Sequence, residues 1–307
     1  MDFLANYFGS LNPMSFLSAL PGNIAQGIIW GLMGLGVFLT FKLLNFADLS
    51  VDGSFATGGA VTAVMLINGC PVWATIIVAI LAGLAAGLVT GLLHTLLGIP
   101  DILAGILTQI ALYSINLNIM GKSNLPISYR NYTLVVSASN INMAILVGLG
   151  ICAVVVAAMY WYFGTEQGST IRSTGSNPAM SKAQGININF TKVIALALSN
   201  GLVALSGSLF AQYQGFADIN MGRGAIVIGL AAVIIGEVLG EAIFRKHMNF
   251  IIRMLFVIVG GILYYIAMGI VLWLKMPTDD TKLFTAIIVA IFLAVPYLKG
   301  KSKSSFK

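Results

Sequence analysis

Charge is what this sequence has least of. Only 8% of its 307 residues are Asp, Glu, Lys or Arg, against about 25% in soluble globular proteins. So few charges cannot clothe a surface facing water. With 58% hydrophobic residues and a mean hydropathy of +0.95, most of the surface must face lipid, and a soluble fold is excluded. Histidine is nearly as scarce. His94 and His247 are the two present, so no metal cluster and no His-dependent nucleophile is expected. Cys70 and Cys152 lie in or beside apolar runs and suit small hydrophobes better than ligands or a disulfide. The net charge of +6 and pI near 9.3 do not imply nucleic acid, because an apolar chain collects Lys and Arg at cytoplasmic membrane edges.

What is present is a series of apolar runs, each near the ~20 residues a helix needs to cross a bilayer. They fall at Ile24–Phe41, Ser50–Ile67, Val72–Leu97, Ile102–Met120, Met143–Phe163, Val193–Gln212, Ala225–Ile243, Ile251–Leu274 and Leu283–Leu298. Backbone groups in lipid must be satisfied within the protein, so these runs are helices. The expected fold is all-α: one polytopic membrane domain over residues 1–307 with about nine spans. The first residues lack a basic region and carry Asp2, which argues against a cleaved signal peptide. Residues 1–21, interrupted by Asn12-Pro13 and several Asn and Ser, suggest an interfacial segment distinct from the first span.

Orientation follows from the basic residues. Eleven of the sixteen Lys and Arg, including Lys42, Arg172, Lys182, Lys192, Arg253 and the tail 299–307, share a side with the loop Gly164–Phe190, whereas Lys122, Arg130, Arg223, Lys275 and Lys282 lie opposite. The positive-inside rule makes the first side cytoplasmic. Small residues also recur at helical spacing. Ala79, Gly83, Gly87 and Gly91 repeat every fourth position, as do Gly27 and Gly31. Such grooves let another helix approach closely where lipid supplies no hydrophobic drive.

The cytoplasmic stretch Gly164–Phe190 is the one long polar segment between apolar runs. Ser176 or Asn177 can cap a helix, Pro178 suits its first position and Gly185 its left-handed stop. A helix over Pro178–Gln184 has about two turns and is marginal alone. The same signals fit a solvated loop.

Within the spans, polar residues are few. Ser199, Asn200 and Ser206 soften the sixth run, and such groups serve either interhelical hydrogen bonding or a pathway wall. The segment FADLSVDG at 46–53 is echoed by FADINMGR at 216–223. Five spans separate the two Asp residues, so the copies face opposite sides, as an inverted repeat predicts. Asp48, Ser50, Asp218 and Asn220 can cap the helices that follow and are also candidate pathway residues. Catalytic chemistry is absent from the pattern. Gly121-Lys122-Ser123 matches the end of a phosphate-binding loop, but Asn116 stands where that motif needs glycine. Glu237, Glu241 and Arg245 share a helical face as a structural ladder.

The run IRSTGSNPAMSKAQGININFTKV followed by ALALSNGLVALSGSLFAQ, with NFADLSVDGSFATGGAV earlier, resembles the permeases of ATP-driven importers for branched-chain amino acids, ribose and nucleosides. It is most similar to the branch tied to tryptophan or tyrosine. The match covers Asn45 to about Gly240. Two features depart from that family: the turn after the late span, here Ile235 to Glu241, and the lack of an amino-terminal span found in sugar permeases. The resemblance implies a non-catalytic subunit in a bacterial cell membrane. It implies that Arg172, Ser176, Asn177, Pro178, Met180, Lys182, Ala183, Gln184 and Gly185 dock on a separate ATPase, which alone binds ATP. An extracytoplasmic substrate-binding lipoprotein and a second permease chain, forming a homodimer, complete the expected assembly. Sugar or nucleoside transport, and an ion-coupled secondary transporter, remain the alternatives.

Overall fold

The computed structural model describes residues 13–128, 132, 134–244 and 248–274, with residues 283, 284, 286, 287, 289–291 and 294. The helices are α1 (Pro13–Val37), α2 (Val51–Ile67), α3 (Val72–Thr95), α4 (Asp101–Met120), α5 (Ile141–Phe163), α6 (Glu166–Ser176), α7 (Pro178–Ala183), α8 (Ile188–Gln214), α9 (Ala225–Phe244) and α10 (Phe250–Trp273). Two three-residue strands, β1 (Asn124–Pro126) and β2 (Phe216–Asp218), pair antiparallel at the end opposite α6 and α7. Among the described residues, seven helices are long and apolar enough to cross a membrane, and α2 is a shorter apolar helix beside them. Of the ninth expected span, Leu283–Leu298, the described residues are helical. Residues 1–12, Arg245 and the basic tail 299–307 lie outside the described residues.

The amino-terminal expectation needs correction. Residues 13–21 are not a separate segment but the first turns of α1. Pro13 stands at the helix start, where a missing N–H costs nothing, and the Ser18 hydroxyl donates to the Ser15 carbonyl at 2.9 Å. Ser18, one of the polar residues that looked like an interruption, is thus satisfied inside the helix. At its other end α1 runs directly into a π-helical turn, Phe38–Leu43, closed by Leu44 N–H donating to Leu39 C=O at 3.0 Å.

Two helices stand at the centre. The most apolar 18-residue windows of α1 and α8 are 83% and 78% buried, against 28–39% in the other long helices. The short α2 is buried along most of its length. Around this core the exposed faces of α3, α4 and α5 carry Ile77, Leu81, Leu88, Ile110, Leu146, Val154 and Trp161, a surface suited to lipid.

The glycine groove of α3 forms the seam with α8. A Cβ at Gly83 would strike the Asn200 carbonyl, at Gly87 the Leu196 carbonyl, and at Gly91 the Val193 Cα. Gly27 and Gly31 meet Ile262 and Ile258 of α10, which returns Gly261 against the backbone of both. These backbone approaches replace the hydrophobic effect as the source of helix association. They also reveal symmetry. If α1, α2 and α3 correspond to α8, α9 and α10, then the third helix of each set packs on the first helix of the other. That crossed arrangement is what an inverted repeat requires.

Candidate functional site

The loop from 164 to 190 holds two helices where one was expected. Thr165 caps α6 by accepting from Gly168 N–H at 3.4 Å. The sequence of α6, EQGSTIRSTGS, has weak intrinsic helicity because of its glycines and hydroxyl residues, so packing holds it. A Cβ at Gly168 would overlap Phe163 and Tyr162, and one at Gly175 would overlap the Leu43 carbonyl. The helix is therefore wedged between the end of α5 and the π-turn of α1.

Beyond this wedge, α7 stands outward. Asn177, not Ser176, is its cap: the Asn177 Oδ1 accepts from Met180 N–H at 3.0 Å, Pro178 opens the helix, and Gly185 leaves it at φ +83°. Ser176, Asn177, Pro178, Met180, Lys182, Ala183, Gln184 and Gly185 are all exposed, and only Ser181 is buried. Met180 is 58% exposed. Arg172 is exposed as well, but it is anchored. Its guanidinium donates to the Phe163 carbonyl at 2.8 Å and lies 5.8 Å from the Phe250 ring centroid, so it ties α6 to α5 and α10.

The second constellation lies in the core. Between the π-turn and α2 the chain turns back into the protein through residues 44–50, which are not helical. Asp48 sits there with 2% exposure. Its Oδ1 accepts from Ser50 N–H at 2.9 Å and from the Ser50 hydroxyl at 2.5 Å, and its Oδ2 accepts from the Asn200 amide at 2.7 Å. The Asn200 Oδ1 in turn accepts from Ser50 and Ser54 hydroxyls at 3.1 and 2.5 Å. This network pins the re-entrant segment to α8. Ser199 and Ser206 do not join it. They donate to the Gly36 and Ile29 carbonyls of α1 at 2.8 and 2.6 Å, the interhelical role that one of the two readings gave them.

The repeat is visible in hydrogen bonds. Asp218 Oδ1 accepts from Asn220 N–H at 2.7 Å, the same two-residue turn as Asp48 with Ser50. Here the carboxylate is half-buried, and Asn124 donates to the other Asp218 oxygen at 3.4 Å. Neither Asp48 nor Asp218 caps a helix from within its first turn, as their positions suggested. Asp52 does so instead, and across the repeat. Its two oxygens accept from Gly224 N–H and Ile226 N–H at the start of α9, both at 2.9 Å. Gly222, the repeat equivalent of Asp52, packs against the Asp52 backbone carbonyl, so the two copies meet at corresponding residues. Ser54 and Asp52 carried no individual signal, since their partners lie about 150 residues away.

Of the expected ladder on α9, Arg245 lies outside the described residues, and Glu237 forms a clamp. Glu237 accepts from Lys42 at 2.8 Å and faces Arg253 at 3.5 Å, joining α9 to the π-turn and α10. His94 Nε2 lies 2.9 Å from Lys192 Nζ and its Nδ1 2.9 Å from the Ile99 carbonyl. The ammonium can only donate, so Nδ1 carries the proton. Among the described residues no group of His, Cys, Asp or Glu could hold a metal ion.

A bundle of apolar helices with glycine seams, an inverted repeat and a presented two-turn helix has known counterparts. Residues 22–296 match the family described as branched-chain amino acid transport system / permease component. The chain belongs to this permease family. The permease is 43% identical over 290 residues to the tyrosine transport system permease protein of Clostridioides difficile, covering 94% of this chain and 95% of that protein. It is 27% identical over 261 residues to the D-allose transport system permease protein of Escherichia coli, covering 83% and 77%. Its fold is similar to that of PsaBC from Streptococcus pneumoniae in complex with Fab, with a TM-score of 0.53 at 16% identity over 95% of this chain and 94% of that one. The permease is thus a multi-pass membrane protein and a transport subunit of the ATP-binding-cassette importer class.

Proposed function

We propose that this permease carries an amino acid, and specifically an aromatic one, across the cell membrane under the drive of a separate cytoplasmic ATPase. The observation that carries the coupling half is α7: a capped helix with exposed apolar side chains, set on a wedged base. The substrate half rests on similarity to a tyrosine permease along nearly the whole chain. ATP is bound by the partner, and this chain contributes no cofactor chemistry. An extracytoplasmic binding protein delivers substrate, and two copies of the permease enclose the path.

The mechanical route is short. Met180 and Ala183 fill a cleft on the ATPase, and Lys182 meets acidic groups at its rim. A displacement of α7 moves α6, whose Gly175 touches the Leu43 carbonyl without an intervening side chain. The π-turn then shifts residues 44–50 and, through Asp48 and Asn200, the relation of α2 to α8. Nucleotide state acts only by making these contacts differ between the two conformations. Asp48, Ser50 and Asn200 therefore serve the pathway by positioning α2, and Asp218 with Asn220 shapes its outer mouth beside β1.

Buried anchors at an interface outweigh screened rim charges. Ala183→Asp is expected to abolish ATP-driven tyrosine uptake in vesicles holding the full complex, with membrane insertion intact. Lys182→Ala is expected to lose less than about half of the rate. Parental transport by the Ala183→Asp complex would remove α7 from the coupling role.

A further inference from the structure

A polar cleft opens between α2, α4 and the turn from Ile219 to Arg223, lined by Asp52, Gln109, Tyr113, Asn116, Ile219 and Arg223 among others. Its volume is about 40 Å³, room for two or three water-sized groups. It does not lie at the membrane edge. Asn116 and Gln109 stand about one and three turns inside the outer end of α4, or ~6 to ~17 Å at the helical rise. Arg223, which the sequence placed in an outer loop, lines this cleft beside α2 and α4.

Three groups of the cleft leave bonding capacity unused. Asn116 is 1% exposed, yet neither its Nδ2 nor its Oδ1 has a partner. The Arg223 side chain is exposed and makes no ion pair with a described residue. Asp52 shares the cleft with Arg223 without pairing to it. The Asp52 carboxylate spends one acceptor site per oxygen on the start of α9 and retains others. Polar and charged groups at this depth are expensive unless they serve a cavity or a path.

A carboxylate, a guanidinium-bearing residue and an amide able to donate and accept, lining one small cleft, form a pattern for one kind of ligand. We propose that this cleft seats the ammonium and carboxylate ends of an α-amino acid on its way through the permease. Arg223 binds the carboxylate, Asp52 and the Asn116 Oδ1 receive the ammonium, and the Asn116 amide N–H supports the carboxylate. The volume excludes the ring, which projects through the open mouth past Tyr113 toward the second copy. This assignment rests on the amino-acid reading given above and identifies where that reading acts. It also makes head-group chemistry, which a sugar lacks, a property of the permease as well as of the delivering protein.

The test uses the full chain in lipid nanodiscs and radiolabelled tyrosine at equilibrium. Tyramine, which lacks the carboxylate, and 3-(4-hydroxyphenyl)propionate, which lacks the ammonium, serve as competitors. Both are expected to bind about tenfold or more weakly than tyrosine, as loss of a charged hydrogen-bond partner implies. Arg223→Gln should weaken tyrosine by about tenfold or more and leave tyramine unchanged, and Arg223→Lys should recover part of the loss. Asp52→Asn should weaken tyramine and spare the propionate. Because Asp52 also holds α9, the Arg223 pair decides the matter if that variant folds poorly. Equal weakening of all three ligands, or no tyrosine binding by a permease whose complex transports it, overturns the cleft assignment. Failure of the parental complex to transport any amino acid overturns the functional reading instead.

Discussion

The two copies of the repeat use one local device in opposite surroundings. Asp48 and Asp218 each accept from the N–H two residues on, yet Asp48 is buried against Asn200 and Ser50 while Asp218 is half-buried beside Asn124. The same three-residue signature, Phe-Ala-Asp, therefore fixes a backbone turn in both copies and a core network in only one. What differs is the partner of the carboxylate: α8 brings Asn200 to Asp48, whereas Asp218 meets Asn124 of β1. An inverted repeat conserves geometry while its two ends are free to take on different chemistry. The first end meets α6 through the π-turn; the second frames the cleft of Asp52 and Arg223.

The largest effect should come from breaking what the copies share. Gly87→Leu in the α3–α8 seam and Gly261→Leu in the α1–α10 seam both drive a side chain into backbone. Each is expected to cost more than the ~1–3 kcal/mol typical of overpacking and to remove most of the folded protein seen by detergent size exclusion. Val78→Leu, on the exposed face of α3, should leave the yield unchanged. A large loss at Gly87 with tolerance at Gly261 would break the equivalence of the two seams.

Next in size is the network that only one copy owns. Asn200→Ala removes a donor from the buried Asp48 carboxylate and the acceptor of the Ser54 hydroxyl, and about 2–4 kcal/mol of stability should go with them, since hydrogen bonds to charged groups contribute ~1.5–3 kcal/mol each. Asp218→Asn alters an exposed turn and should stay within about 0.5 kcal/mol. Thermal unfolding of the two variants side by side measures the contrast, and equal shifts would erase it.

The smallest effect is expected at the clamp. Lys42→Ala removes a partly exposed ion pair with Glu237, and such pairs contribute about 0–1 kcal/mol. Its melting temperature should barely move, and less so as salt is raised.

Sequence alone showed the spans, the α3 groove and the outward helix, because each is written in neighbouring residues: glycines four apart, or Asn177, Pro178 and Gly185 around two turns. The α1–α10 seam was half visible, as Gly27 and Gly31 point to close packing without naming its partner. What stayed hidden is non-local. The helix α6 forms despite its glycines because Gly168 and Gly175 admit the backbone of α5 and of Leu43. The extension of α1 to Pro13 was masked by Ser15 and Ser18, which mimic a loop until the Ser18 hydroxyl bonds to the Ser15 carbonyl within the helix. Asp52 looked like one more acidic residue at a helix start, and its service to α9 lies 172 residues away. Arg223 was counted as a loop charge; the return of the chain after β2 places it on the cleft beside α2 and α4.

The α3–α8 seam also sets a problem of timing during synthesis. The groove of Gly83, Gly87 and Gly91 leaves the ribosome early, but its partner begins only at Ile188, about ninety residues later. At ~5–20 residues per second, α3 waits about 5 to 20 seconds in the bilayer with its narrowest face filled by lipid tails or by the insertion machinery. Assembly of this chain must therefore begin with an eviction, in which α8 displaces whatever has occupied that face.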